Sequence, residues 1–217
     1  MMVFWEQRLV VLATPKTGST ALASALESRA ALISKRPPEV KHTTAARYQW
    51  LVRPFLEKST RQRFTVVALM REPVDWLGSW YRFRQRRSDP PPRNSTVELS
   101  FDQFVEGYIA TPRAPFADVG SQVRFLYNQD KLAVDLLFDY AEMPHFLAYL
   151  QDRLGVIPAL ARENVSPEAK LTLSPDLLAR LQQAVPDDFR LYDRVRRGRT
   201  GEPAPRPAPQ PAPTGLP

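Results

Sequence analysis

The 217-residue sequence has no cysteine, and only two histidines and eight glycines. Without cysteine there is no disulfide and no thiolate metal site, and reducing and oxidising compartments stay equally open. Two histidines with no paired ligand spacing give no reason to expect a metal. Long apolar runs are also missing. Nothing approaches the ~20 residues that cross a bilayer, so no stable membrane insertion is expected. Met1-Met2-Val3-Phe4-Trp5 carries no basic n-region, and the apolar run that starts at Leu9 is too short for a signal peptide. These absences point to a soluble chain and leave its oligomeric state open.

What is present is ordinary for a globular protein. Hydrophobic residues make up 43% of the chain, enough for one α/β domain with a sizeable core. The net charge of +7 rests on arginine and suits an anionic cofactor or an acidic substrate. Nucleic acid fits that charge as well, so charge alone does not choose. From Gly198 onward proline alternates with small or polar residues, which leaves almost nothing to bury. The expected organisation is one domain over 1–197 and a solvated, extended Pro-rich tail over 198–217.

Residues 8–13 read as a strand, and Ser19 to about Leu32 as a helix with Leu22, Ala25 and Leu26 on one face. Pro37-Pro38 breaks the chain, and a helical stretch from about Thr44 to Glu57 is interrupted at Pro54. Residues 64–70 read as a buried strand, followed by a helix from Pro73 to about Arg84 and an exposed loop at Ser88-Asp89-Pro90-Pro91-Pro92. Ser100 and Gln103 have capping-box spacing for a helix to about Ala110, and Thr111 to Gly120 reads as a loop over the site. A short strand is expected over Ala133 to Phe138, then a helix from Pro144 to Leu154 stopped by Gly155. Ser174-Pro175-Asp176 caps a helix to about Ala184, and Asp187 to Val195 reads as the last. Strands alternating with helices predict an α/β fold, P-loop-like, with a mainly parallel sheet flanked by helices on both faces.

The segment richest in chemistry is Ala13-Thr14-Pro15-Lys16-Thr17-Gly18-Ser19-Thr20, directly behind Leu9-Val10-Val11-Leu12. A strand that turns into a helix presents backbone N–H groups without intrahelical partners, and the helix dipole adds positive charge. Lys16 contributes an ammonium, and Thr17, Ser19 and Thr20 contribute hydroxyls. A Walker A loop would need a glycine directly before the lysine, and here Gly18 follows Lys16. The next strong strand ends in Arg71, where a magnesium-dependent phosphate site usually has an acid. An arginine there attracts a second anion. The two ends together suit a ligand with two phosphate groups and no metal.

These segments resemble the sulfotransferases that use 3′-phosphoadenosine 5′-phosphosulfate, in particular the carbohydrate-type and bacterial family 2 members. The family's 5′-phosphosulfate loop is similar to Pro15-Lys16-Thr17-Gly18-Ser19-Thr20. Its Arg-x-Pro-x-x-x-x-x-Ser segment for the 3′-phosphate is similar to Arg71-Glu72-Pro73-Val74-Asp75-Trp76-Leu77-Gly78-Ser79. Asn164-Val165-Ser166 and Asp187-Asp188-Phe189-Arg190-Leu191-Tyr192 resemble later family segments, and the likeness runs from about residue 8 to about 195.

The resemblance implies that Pro15, Lys16, Thr17, Gly18, Ser19, Thr20, Arg71 and Ser79 hold the cofactor. Lys16 would act as the cation at the leaving oxygen. Lys41-His42-Thr43-Thr44 resembles a family segment that makes His42 the candidate base, ahead of Glu39 and the more remote Glu57; His145 reads as a packing or surface residue. The expected acceptor is a hydroxyl of a carbohydrate or related small molecule, in a cytoplasmic bacterial enzyme, with nucleic acid not expected as partner. Arg82-Phe83-Arg84-Gln85-Arg86-Arg87 reads equally as a guide for an acidic glycan and as a solvated helix end. Two rivals stand beside this reading. One is a metal-dependent P-loop kinase with Asp139 as its acid. The other is a non-catalytic module that binds nucleotide or nucleic acid.

Overall fold

Five strands form one sheet, and burial along its longest strand explains why helices cover both faces. The computed structural model describes residues 1–85, 92–156, 158, 160 and 171–198. The elements run β1 Met2–Phe4, β2 Leu9–Val11, α1 Ser19–Leu26, β3 Leu32–Ile33, α2 Pro38–Lys41, α3 Ala45–Arg47, α4 Arg53–Thr60, β4 Thr65–Met70, α5 Pro73–Arg84 and α6 Phe101–Ile109. There follow α7 Gln122–Leu126, a hairpin of β5 Tyr127–Asn128 and β6 Lys131–Leu132, β7 Leu136–Asp139, α8 Met143–Leu154, α9 Pro175–Ala184 and α10 Pro186–Arg196. The sheet order is β3-β1-β2-β4-β7.

In β4 successive side chains point to opposite faces, and each face meets its own helical layer. Val66, Ala68 and Met70 pack with Ala45, Tyr48, Leu56, Leu191 and Val195 from α3, the turn after it, α4 and α10. Val67 and Leu69 pack with Leu22 and Leu26 of α1 and Phe146, Leu150 and Leu154 of α8. A third cluster joins α5, α6 and α9 through Trp76, Leu77, Phe104, Leu177 and Leu181. It anchors α5 beside the sheet. No helix among the described residues is long and apolar enough to cross a membrane.

The sheet is mixed rather than mainly parallel. Strands β2, β4 and β7 are parallel, but β1 runs antiparallel to both β2 and β3. Only Trp5 to Arg8 separates β1 from β2, a connection that allows antiparallel pairing and nothing else; Arg8 takes a positive φ of 50° there. Helix α1 ends at Leu26, not near 32, because a 3-10 turn over Glu27–Arg29 redirects the chain into β3. The stretch around Pro54 stays helical. Pro54 has no N–H to donate, and a π turn over Tyr48–Val52 carries the chain past it, with the Arg53 N–H donating to Tyr48 O.

Other expectations match. Helix α5 spans Pro73–Arg84, Ser100 and Gln103 make both bonds of a capping box, and α8 ends at Gly155 with φ 69°. Helix α7 and the β5–β6 hairpin are additions. Arg86 and Arg87, the Asn164-Val165-Ser166 segment and the tail from Arg199 lie outside the described residues.

The β4–β7 pair starts on a side chain. Asp135 accepts hydrogen bonds from the Val66 N–H at 2.7 Å and from Arg63, while its own N–H donates to Val66 O at 2.8 Å. Asp135→Ala leaves the buried Val66 N–H without a partner, which is expected to cost about 1–3 kcal/mol in urea unfolding. A loss within ±0.3 kcal/mol of zero, on the order of measurement error, would show that the strand pair does not need this cap.

Candidate anion-binding site

The loop after β2 is held by its carbonyls. Four consecutive ones each accept a side-chain donor: Ala13 O from His42 Nδ1 at 2.7 Å, Thr14 O from Thr17 Oγ1 at 2.9 Å, Pro15 O from Trp76 Nε1 at 3.0 Å, and Lys16 O from Arg71 Nη1 at 3.1 Å. In a trans peptide the N–H points away from the C=O it is bonded to. The N–H groups of Thr14, Lys16 and Thr17 therefore each point away from a captured oxygen. Lys16 and Gly18 have φ of 66° and 72°, with Thr17 on the ordinary side between them. That alternation curls successive N–H groups around one concavity.

Gly18 is the N-cap of α1 and offers no side chain to its first-turn N–H groups. A Cβ there would sit 3.6 Å from the Tyr140 ring, ordinary contact, so glycine is required by the backbone and not by space. Lys16 in the left-handed region is uncommon for a residue with a long side chain. Its ammonium lies 4.1 Å from the Phe83 ring centre and 5.4 Å from that of Trp80, both on α5. A second ammonium, that of Lys41, donates to Thr20 Oγ1 at 2.8 Å. Burial lowers its pKa.

Arg71 is fixed from three directions. Both polar groups of its backbone pair with one side chain: its N–H donates to Gln122 Oε1 and its C=O accepts from Gln122 Nε2, each at 2.8 Å. Gln122 is 1% exposed, and its own N–H donates to the carboxylate of Asp188 at 3.0 Å. Burial raises the Asp188 pKa, an effect the Val123 and Gln122 N–H bonds offset in part. The Arg71 guanidinium lies 4.7 Å from the Tyr140 ring centre and pairs with Asp75, Nη2 donating to Oδ1 at 2.9 Å. Arg82 approaches the same carboxylate at 3.8 Å. A Cβ on Gly78 would sit 3.1 Å from Leu171 and 3.6 Å from the Arg82 guanidinium, so the glycine keeps that side of α5 clear.

The sequence-derived residues divide accordingly. Pro15, Lys16, Gly18, Ser19, Thr20 and Arg71 meet at the loop. Ser79 is buried on α5, one turn on from Asp75, with Asp75, Ser79 and Arg82 at i, i+4 and i+7. The Thr17 hydroxyl proton is committed to Thr14 O, so this side chain has no proton left to donate to a ligand. His42 donates from Nδ1, because a carbonyl can only accept, which leaves Nε2 with a free lone pair. Burial holds its pKa below the usual value, with Lys41 and Lys16 adding to the effect and the Ala13 bond opposing it.

Arg84 is structural: it donates to Pro115 O and Asp118 O and ties the 111–120 loop to the end of α5. His145 is exposed beside Glu142. Asp139 accepts from Ala141 N–H and from the Tyr192 hydroxyl, and so closes α10 onto β7. Gln122, Lys41, Asp75 and Tyr140 were not legible as site residues. Lys41 had a signal, standing beside His42. Gln122 had none, since its role depends on where a helix begins fifty residues past Arg71.

Two buried polar atoms beside the loop, Thr14 Oγ1 and Trp80 Nε1, have no partner among the described residues. Two concavities, of about 90 and 500 Å³, lie instead against α4 and Asp135, with no loop residue in their walls. The loop's claim rests on its donors and not on a deep cavity. No family model, no curated protein and no solved structure matches the chain, so the site is read from its own chemistry.

Gln122→Leu fills the same space but leaves the Arg71 N–H and C=O unpaired. The expected loss is about 2 kcal/mol or more in unfolding free energy. Equal stability of Gln122→Leu and the wild type would mean that the amide does not fix Arg71.

Proposed function

We propose that the chain is a sulfotransferase that moves a sulfuryl group from 3′-phosphoadenosine 5′-phosphosulfate to a hydroxyl of a carbohydrate or related small molecule. The observation that carries the reading is the hydrogen bond from Arg71 to the Lys16 carbonyl. It joins the two segments that the sequence pairs with the two ends of that donor. The proposal extends to a P-loop-like reading of β2, the loop and α1.

The donor set suits such a ligand. Loop N–H groups, Lys16, Lys41, Arg71 and Arg82 are all hydrogen-bond donors, and the orphaned Thr14 hydroxyl adds another. The opposing carboxylate is Asp75, whose side chain is 47% exposed. Asp75 is the solvent-facing partner, while the Arg71 side chain is only 14% exposed and stays in place; a phosphate takes two parallel charge-assisted bonds from a guanidinium. A phosphate therefore displaces Asp75 from Arg71 and Arg82. Ser79 lies one turn further on the same helix.

The bound donor supplies a sulfuryl group already activated by its phosphate. Lys16 neutralises charge that grows on the oxygen bridging phosphorus and sulfur as the S–O bond breaks. The loop N–H groups, pre-oriented by the four carbonyl bonds, hold that phosphate without reorganising. His42 Nε2 takes the proton of the acceptor hydroxyl as the new S–O bond forms. Its Nδ1–H, bonded to Ala13 O, fixes the tautomer this needs. For the kinase rival, Asp139 is already spent on Tyr192 and Ala141.

The test is transfer of labelled sulfuryl from the donor to a panel of carbohydrate hydroxyls, with chelator present. Transfer is expected for the wild type and lost on Lys16→Ala. A base of lowered pKa must be neutral to act, so kcat/KM should fall only as pH drops below the usual histidine value of about 6.5. His42→Asn, which keeps a donor for Ala13, should abolish that limb. Magnesium-dependent transfer of phosphate from ATP would refute the reading.

A further inference from the structure

Helix α4 and the π turn before it present the wrong face to water. Tyr48 and Leu56 point into the core, while Trp50, Leu51 and Phe55 are 79%, 59% and 62% exposed. Pro54 is exposed between them. The π turn over Tyr48–Val52 adds a residue to its turn, so that two successive apolar side chains, Trp50 and Leu51, both fall outside. Scattered apolar residues on a surface are common, but a contiguous Trp-Leu-Pro-Phe ridge marks an interaction site.

The charges around the ridge have one sign. Arg47 stands before it and Lys58 and Arg61 stand after it, all exposed. None of them takes part in the ion pairs among the described residues. The acidic residue of this helix, Glu57, is paired with Arg53 at 2.9 Å. An outward helix face with Trp, Leu and Phe at its centre and unpaired cations at both ends matches an anionic lipid surface: the apolar side chains enter the acyl boundary and the cations meet the headgroups.

We infer that the outer face of residues 47–61 binds the surface of anionic membranes, peripherally and without a spanning segment. The inference is independent of what the loop after β2 holds. The ridge covers the sheet face shared with α10, whereas the loop lies at the end of the parallel strands, so one contact does not require the other.

The test is co-sedimentation of the full chain with vesicles of phosphatidylcholine alone or mixed with phosphatidylglycerol. Binding is expected to the mixed vesicles, with a blue shift of tryptophan emission, and to be about tenfold weaker or more with neutral vesicles. Trp50→Ser/Phe55→Ser and Lys58→Gln/Arg61→Gln should each weaken binding by a similar factor while melting as the wild type does, since the altered side chains are exposed. Failure to bind mixed vesicles, or binding by both variants as tight as that of the wild type, would overturn the inference. So would concentration-dependent self-association in lipid-free buffer that Trp50→Ser/Phe55→Ser abolishes, because the ridge would then belong to a second copy of the chain.

Discussion

The capture of four successive backbone oxygens, from Ala13 to Lys16, is the constraint on which the site depends. Each oxygen is taken by a different part of the molecule: the segment after α2, the loop itself, α5, and the residue that follows β4. A loop at a strand end ordinarily exposes a mixture of N–H and C=O groups. Here four successive acceptors are taken by side-chain donors. The preference for an anion proposed for this loop starts from its peptide groups before any charged side chain is considered.

The same constraint ties distant parts of the chain together. Asp188 on α10 fixes the start of α7, Gln122 at that start fixes the Arg71 peptide, and the Arg71 guanidinium fixes Lys16. These are long-range contacts, the Gln122–Arg71 pair spanning 51 residues and the Asp188–Gln122 pair 66. The last helix thus supports the first loop through two intermediates. Asp75 completes the arrangement by pairing its carboxylate with Arg71 and standing 3.8 Å from Arg82, the internal counterpart of the phosphate proposed for them.

Strong local signals in the sequence translated directly into structure. Pro73 after the buried strand, the Ser100/Gln103 pair, Gly155 and Ser174 set helix ends within a residue or two, since each acts through bonds to its immediate neighbours. The meeting of Lys16 and Arg71 was legible because parallel strands bring their C-terminal ends to one edge. Strand β1 was not, because three buried residues, Met2–Phe4, carry no period and gain their identity only from pairing with β2 and β3. The commitment of the Thr17 hydroxyl to Thr14 O and of Gln122 to Arg71 could not be read either. Both depend on where backbone oxygens point, which residue type does not encode.

The ligand proposed for the donor-lined loop is an adenosine carrying phosphate at two positions, held without a divalent cation. Calorimetric titration of 3′,5′-adenosine bisphosphate in chelator, against ATP with magnesium, tests it most directly on the wild type and on Arg71→Ala. Removing the guanidinium takes a charge-assisted contact from the ligand and frees the Lys16 carbonyl, so a loss of about 2 kcal/mol or more is expected for the bisphosphate, roughly thirtyfold in Kd. Equal affinity of both proteins for both nucleotides would contradict the account.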